Sequence, residues 1–238
     1  MELKYKRIIL KLSGEALKAK DGDIYDSSKL EMVARIVSSL SKNGAQIGIV
    51  VGGGNIWRGK LASTISMHQS QADYMGMLAT VMNALAIGNA IKNAGIDVVT
   101  LSSIEMPKVC PLYTKDKAVR TLEKGKVAIF AGGTGNPYFT TDTCAALRAL
   151  EIDADAILMA KNGVDGVYTA DPRVDKTATL IKSISYKEIV DKKLGVMDLT
   201  AASLLDKKGI EAVVFNMDNE ENFLKVICGE KIGTLIKE

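Results

Sequence analysis

Short, nearly continuous apolar runs recur along the chain, separated by stretches in which apolar side chains fall at helical spacing. RIILKL at 7–12 is followed by Leu30, Val33, Val37 and Leu40 and then by QIGIVV at 46–51, which reads as strand, helix, strand. Ser28 with Glu31 fits a capping box at the start of that helix, and Asn43-Gly44 fits its end. DVVTL at 97–101, KVAIFA at 126–131, AILMA at 156–160 and AVVFN at 212–216 are further strand candidates. Helices are expected near 72–94, 115–124, 142–151, 198–208 and 220–228. Apolar strands alternating with helices call for an α/β fold: a three-layer αβα sandwich with a mostly parallel central sheet covered on both faces. The segment from Tyr74 to Ile91 is apolar over most of its circumference, so it serves either as a central buried helix or as a subunit interface.

Composition narrows the possibilities. A chain of 238 residues, 47% hydrophobic and with four prolines and no linker-like tract, is expected to form one domain over 1–238. Net charge is only +3 and no Lys/Arg block occurs, so a nucleic-acid partner is not indicated; KYKR at 4–7 reads as a solvated strand end. Cys110, Cys144 and Cys228 lie far apart without a CxxC pair, and His68 is the only histidine that could join them on a metal. They read as reduced, packed thiols of a cytoplasmic protein. MELKYKR lacks a signal-peptide apolar region, and the richest apolar stretch, 75–91, is interrupted by Asn83 and Asn89, so no membrane span is expected.

In a parallel sheet, ligands bind beyond the carboxyl ends of the strands, and these ends carry the chemistry here. The first candidate strand closes as Lys11-Leu12-Ser13-Gly14; VVGGGN at 50–55 and FAGGTGNP at 130–137 close two more. Glycines allow close backbone approach and positive φ, so that successive N–H groups can cradle an anion. GNIWRGK, 54–60, nearly satisfies the P-loop pattern, but Leu61 stands where a Ser/Thr hydroxyl is needed, and no G-x-G-x-x-G occurs. AKNGVDGVYTADPR, 160–173, reads as a β-hairpin turning at Asp165-Gly166. Within it Tyr168 could equally stack on a base, and Asp171 could accept from a ribose or an amine.

KLSGEAL, GGGNIWRG, DYMGMLATVMNALA, GTGNPYFTTD and VDGVYTADP together resemble the uridylate (UMP) kinase branch of the amino acid kinase family, and the resemblance runs from YKRIILKLSGEAL to GEKIGTLI. KLSGEAL and VDGVYTADP alone indicate the wider family, which also phosphorylates carboxylates and carbamate. The resemblance implies transfer of the γ-phosphoryl group of ATP, carried with Mg, to UMP in pyrimidine nucleotide biosynthesis. Its N-terminal part would mainly bind UMP and its C-terminal part ATP. On matching positions, Lys11, Leu12, Ser13 and Gly14 would cradle the transferring phosphate, and Gly54 and Arg58 would touch the ATP phosphates. Asn162, Tyr168 and Asp171 would hold adenosine. Gly53, Asp73 and the run Thr134, Gly135, Asn136, Pro137, Tyr138, Phe139, Thr140 and Thr141 would hold UMP. Lys11, Arg58 and Asp142 would be catalytic, Asp142 by organising Mg or Lys11; its alternative reading is a helix cap. Some members carry lysine where Gly163 stands, and Lys161 is the nearest cation here. The resemblance also implies a homohexamer, GTP as activator and UTP as inhibitor, with an effector loop at Lys20, Asp21, Gly22, Asp23, Ile24 and Tyr25.

Phosphoryl transfer between two nucleotides is catalysed by alignment and charge neutralisation, which requires no histidine, and His68 lies outside every glycine-rich turn. Trp57 reads as a packing or interface residue. Two other readings stay open: a nucleotide-binding storage or sensor protein on the same fold, and an acetylglutamate or carbamate kinase.

Overall fold

The computed structural model describes residues 2–170, 172 and 174–238. Its strands are β1 (Arg7–Leu12), β2 (Gln46–Val51), β3 (Val98–Ser102), β4 (Val127–Ala131), β5 (Ala156–Lys161), β6 (Val167–Tyr168), β7 (Leu180–Ile181), β8 (Ser183–Ser185), β9 (Glu211–Asn216) and β10 (Thr234–Lys237). The helices are α1 (Ser27–Lys42), α2 (Lys60–Thr64), α3 (Gln69–Asn93), α4 (Lys115–Glu123), α5 (Thr141–Glu151), α6 (Tyr186–Asp191), α7 (Leu199–Leu205) and α8 (Glu221–Ile227), with a 3-10 turn at Gly14–Leu17. Eight strands form one sheet in the order β3-β4-β2-β1-β5-β9-β10-β8. Pairings from β3 through β9 are all parallel; β10 runs antiparallel to β9 and parallel to β8.

Side-chain alternation along the strands creates the three layers. Ile8, Leu10 and Leu12 of β1 face a core shared with α1, α3 and α8, whereas Ile9 faces the one built with α4, α5, α6 and α7. Each such fully buried aliphatic side chain contributes about 1.5–3 kcal/mol relative to exposure, and runs buried on both faces keep the strands apolar throughout.

Two local expectations are corrected, and several short elements join those expected. The N-cap of α1 is Asp26, whose Oδ1 accepts from Ser28 N at 2.9 Å and from Ser28 Oγ at 2.6 Å; a carboxylate at a helix N-terminus also gains from the helix dipole, which a serine cap cannot match. The hairpin turning at Asp165-Gly166 does not form. Both edges of β5 are already occupied, by β1 and β9, so β6 pairs with β7 instead. Gly166 is small because a Cβ there would lie 2.6 Å from Thr234 Oγ1. Finally, α2, β7, β8 and β10 are too short or too polar to carry a period, and α6 is announced only by its Ser185–Glu188 capping box.

Helix α3 buries Ala72, Met77, Val81, Ala84, Ile87 and Ile91, while Tyr74, Met75, Leu78, Met82 and Leu85 remain exposed. By length and composition it is apolar enough to cross a membrane, but half of its apolar window is buried within the fold.

Candidate active site

Six parallel strands end on one edge, and the chain's winding reverses at β1, with β2 on one side and β5 on the other. The crevice beyond such a reversal is where open α/β sheets bind ligands. Lys11 on β1 and Lys161 at the end of β5 both reach it. The Lys11 ammonium lies 2.8 Å from Asp142 Oδ1, each side chain about four-fifths buried. Burial, and then the charge of Lys11, push the Lys161 ammonium below its ordinary pKa, with Asp142 opposing them. Two cations against one carboxylate leave this point with a positive excess, suited to a phosphate. Asp142 is not the cap of α5: Thr140 is, its Oγ1 accepting from Asp142 N and Thr143 N at 3.1 and 3.2 Å. The Asp142 carboxylate is thereby left for Lys11.

Beside this pair a cavity of about 280 Å³ opens between the end of β2, the start of α3, the loop after β4 and the start of α5. Gly53, Gly54, Asp73, Thr134, Asn136, Phe139, Thr140 and Thr141 line it, as does Trp57. Trp57, read as packing, therefore forms part of the wall. Cys144 is also in the wall, and burial pushes its thiol up to about 11, so it is no nucleophile at neutral pH. Gly135, Pro137 and Tyr138 lie outside the lining. Gly135 packs on Ser103, whose carbonyl oxygen is 3.1 Å from where a Cβ would be.

The two glycine-rich strand ends work differently. None of Gly52, Gly53 and Gly54 has positive φ, so the left-handed glycines expected there are absent, while among the described residues the N–H groups of Gly53 and Gly54 have no partner. Their smallness serves close packing: a Cβ on Gly53 would sit 2.8 Å from Gly76 O in α3, and one on Gly14 would sit 2.6 Å from Gly52 O. The loop after β4 is the left-handed one, with Gly132, Gly133 and Gly135 at φ of 74°, 57° and 82°. Among the described residues, the N–H groups of Gly133 and Thr134 have no partner. Both residues line the cavity, so these are free donors at its wall.

Asp73 ties the 134–141 turn to α3. Its Oδ2 accepts from Tyr138 N at 2.8 Å and its Oδ1 from Gln69 Nε2 at 2.7 Å, the former holding Tyr138 at its left-handed φ of 71°. Thr140 Oγ1 donates to Asp198, which also accepts from Thr143 Oγ1 at 2.9 Å while capping α7 through Ala201 N at 2.8 Å. Asp198 went unnoticed in the sequence, as did Glu15. Glu15 Oε1 lies 2.6 Å from Arg58 Nη2, so Arg58, expected on the ATP phosphates, is held here in a surface ion pair.

On the other side of β1, Asn162 lies in an exposed turn and Gly163 N donates to Asp218 Oδ2 at 3.0 Å. Tyr168 Oη is 3.5 Å from Asp165 Oδ2, and Asp165 Oδ1 accepts from Asn216 Nδ2 at 3.1 Å. Asn162 and Tyr168 thus gather at the ends of β5 and β9; Asp171 lies outside the described residues. Lys20 through Ile24 form an exposed turn that Asn55 Nδ2 grips at Ile24 O, 3.0 Å away, and Tyr25 follows half-buried. His68 Nδ1 accepts from Ser70 N at the start of α3. Among the described residues, no group of three His, Cys, Asp or Glu side chains is arranged to hold a metal.

Residues 6–216 match the model of the Amino acid kinase family. A curated uridylate kinase of Limosilactobacillus reuteri (strain DSM 20016) is 50% identical over 236 residues, 99% of this chain and 98% of that protein. The crystal structure of UMP kinase from Bacillus anthracis is similar with a TM-score of 0.95 at 38% identity, covering 98% of this chain and 96% of that one. UMP kinase from Ureaplasma parvum gives 0.93 at 39%, covering 99% and 100%. With this fold, these strand ends and likeness along its whole length, the chain belongs to the amino acid kinase family.

Proposed function

We propose that the protein is a UMP kinase, transferring the γ-phosphoryl group of ATP to UMP to give UDP and ADP in pyrimidine nucleotide synthesis. The observation that carries the reading is the continuity of two features. Thr141 lines the acceptor cavity, and the next residue, Asp142, holds Lys11 at the end of β1. An acceptor phosphate in that cavity comes to rest at the positive point between β1 and β5, where a donor over the ends of β5 and β9 presents its γ-phosphate. Lys11 then stabilises charge that develops during transfer, and Lys161 adds to the field. Arg58 exchanges Glu15 for phosphate, at little cost because an exposed pair is worth about 0–1 kcal/mol. Mg bound with ATP would supply neutralisation of phosphate charge, and Asp142 would hold Lys11 in place beside it. The N-terminal half would mainly hold UMP and the C-terminal half ATP, with Asn162, Tyr168 and Asp171 on the adenosine.

The unpartnered N–H groups of Gly133 and Thr134 suit a base edge that accepts. Uracil offers a carbonyl where cytosine has an amino group, and donor facing donor leaves both unsatisfied. Asp73 keeps lone pairs for ribose hydroxyls. A storage protein needs no Lys11–Asp142 pair, and a carbamate or acetylglutamate kinase needs no uridine-binding turn such as 134–141. A coupled assay of ADP release with UMP, dUMP, CMP, carbamate and N-acetylglutamate tests the reading. UMP should be preferred strongly over CMP and more modestly over dUMP. Equal kcat/KM for CMP would remove the uridine assignment. Exposed apolar residues on α3 support an even-numbered assembly, a hexamer by family resemblance, and the turn from Lys20 to Tyr25, tied to the glycine triad through Asn55, is the place for GTP or UTP to act. A cytoplasmic location fits this substrate set.

A further inference from the structure

Arg148 on α5 brings a cation into the interior, with only 3% of its surface exposed. Nη1 pairs with Glu151. Nη2 donates to Ser103 Oγ at 2.8 Å and lies 3.4 Å from Gly133 O. The guanidinium carbon lies 3.8 Å from the centre of the Tyr113 ring, and Tyr113 Oη donates to the same Glu151 carboxylate at 2.5 Å. Ser103 Oγ, in turn, donates to Gly133 O at 2.8 Å. The Gly133 carbonyl is therefore fixed from the end of β3 and from α5 together.

Burying an ion pair is expensive, and an apolar side chain would fill the same space without that cost. The use of this one follows from peptide geometry. Gly133 C=O and Thr134 N–H belong to one planar trans unit, in which they point in opposite directions. Anchoring the carbonyl inward thus aims the Thr134 N–H outward. The glycines at 132, 133 and 135, all at positive φ, leave that loop with little stiffness of its own.

We infer that Arg148 is a positioning residue for acceptor recognition, acting through Ser103 and the Gly133 carbonyl to aim the Thr134 N–H at the acceptor base. The inference rests on the acceptor reading of the cavity. Ser103→Ala and Arg148→Lys test it, with KM for UMP and for ATP, kcat, the UMP-to-CMP preference, and amide hydrogen exchange over 132–136. Each variant should raise KM for UMP roughly tenfold, as loss of one aimed hydrogen bond does, with kcat within about twofold, ATP KM unchanged and a narrowed preference. Exchange over 132–136 should quicken while the strands stay protected. Unchanged UMP KM and preference in Ser103→Ala overturns the inference, even where Arg148→Lys fails to fold; so does an equal rise in both KM values, which marks general loosening. Were wild type to prefer another acceptor, the function assigned above would fall, while exchange over 132–136 and KM for that acceptor would still decide the role of Arg148.

Discussion

Lys11 is the residue on which the proposed chemistry turns, and its neighbours make its removal a clean experiment. Lys11→Ala would leave Asp142 without its ion-pair partner but in the field of Lys161, whose pKa already responds to both. The variant should melt close to wild type yet lose roughly a hundredfold to a thousandfold in kcat, the scale for removing one transition-state charge stabiliser. Turnover near the wild-type rate would take Lys11 out of the mechanism. At this scale the sequence is legible where partners are near in the chain: Lys11 to Gly14, the glycine triad and the 134–141 run each stand as a local pattern. It is illegible where a side chain answers a distant one. Glu15 meets Arg58 across 43 positions and Asp198 meets Thr140 across 58, and nothing local to Glu15 or Asp198 announces either contact. Trp57 was visible, but the cavity it lines needed α3 folded against it.

Between elements, Asp198 joins the start of α7 to the start of α5, and so steadies the 134–141 turn from behind. Burial works to raise its pKa, but hydrogen bonds from Thr140, Ala201 N and Thr143 outweigh it and hold the carboxyl below the usual range. A depressed folded value gives stability that is fully present above the unfolded value of about 3.9 and is lost as pH falls through the folded one. Asp198→Asn keeps a good cap but removes the charged acceptor. It should destabilise by about 1–2 kcal/mol near neutral pH, with the difference closing as melts are taken down to about pH 3 and below. A difference constant over that range would mean that the charge contributes nothing. The long elements were read correctly because periodicity needs length: β1 and β2 end where the apolar runs end. Asp26 displaced Ser28 as a cap one turn's choice away, and the missing β6–β5 hairpin depended on which strand edges were already taken, a property of the assembled sheet.

Over the whole molecule, α3 serves two surfaces at once. Its inward residues pack against the sheet, so one of the two readings of this helix, a buried central element, describes half its circumference. The other half carries Tyr74, Met75, Leu78, Met82 and Leu85, each 38–49% exposed and spaced as one stripe. A contiguous apolar surface of this kind on a folded protein marks an interaction site. A stripe on one straight helix suits a two-fold contact with the same stripe of another copy, since an isologous interface presents each residue twice. The protein should therefore sediment at micromolar concentration as an even-numbered oligomer, a hexamer on the family resemblance. Leu78→Glu combined with Met82→Glu sets four carboxylates into each such interface and should halve the assembly or dissociate it. Because Ala72, Asp73, Gly76 and Met77 of the same helix line the acceptor cavity, the separated protein should also show a raised KM for UMP, with its KM for ATP nearly unchanged. A wild-type monomer in sedimentation, or a double variant that keeps both the assembly and the UMP KM, would show that α3 faces solvent and not a second copy.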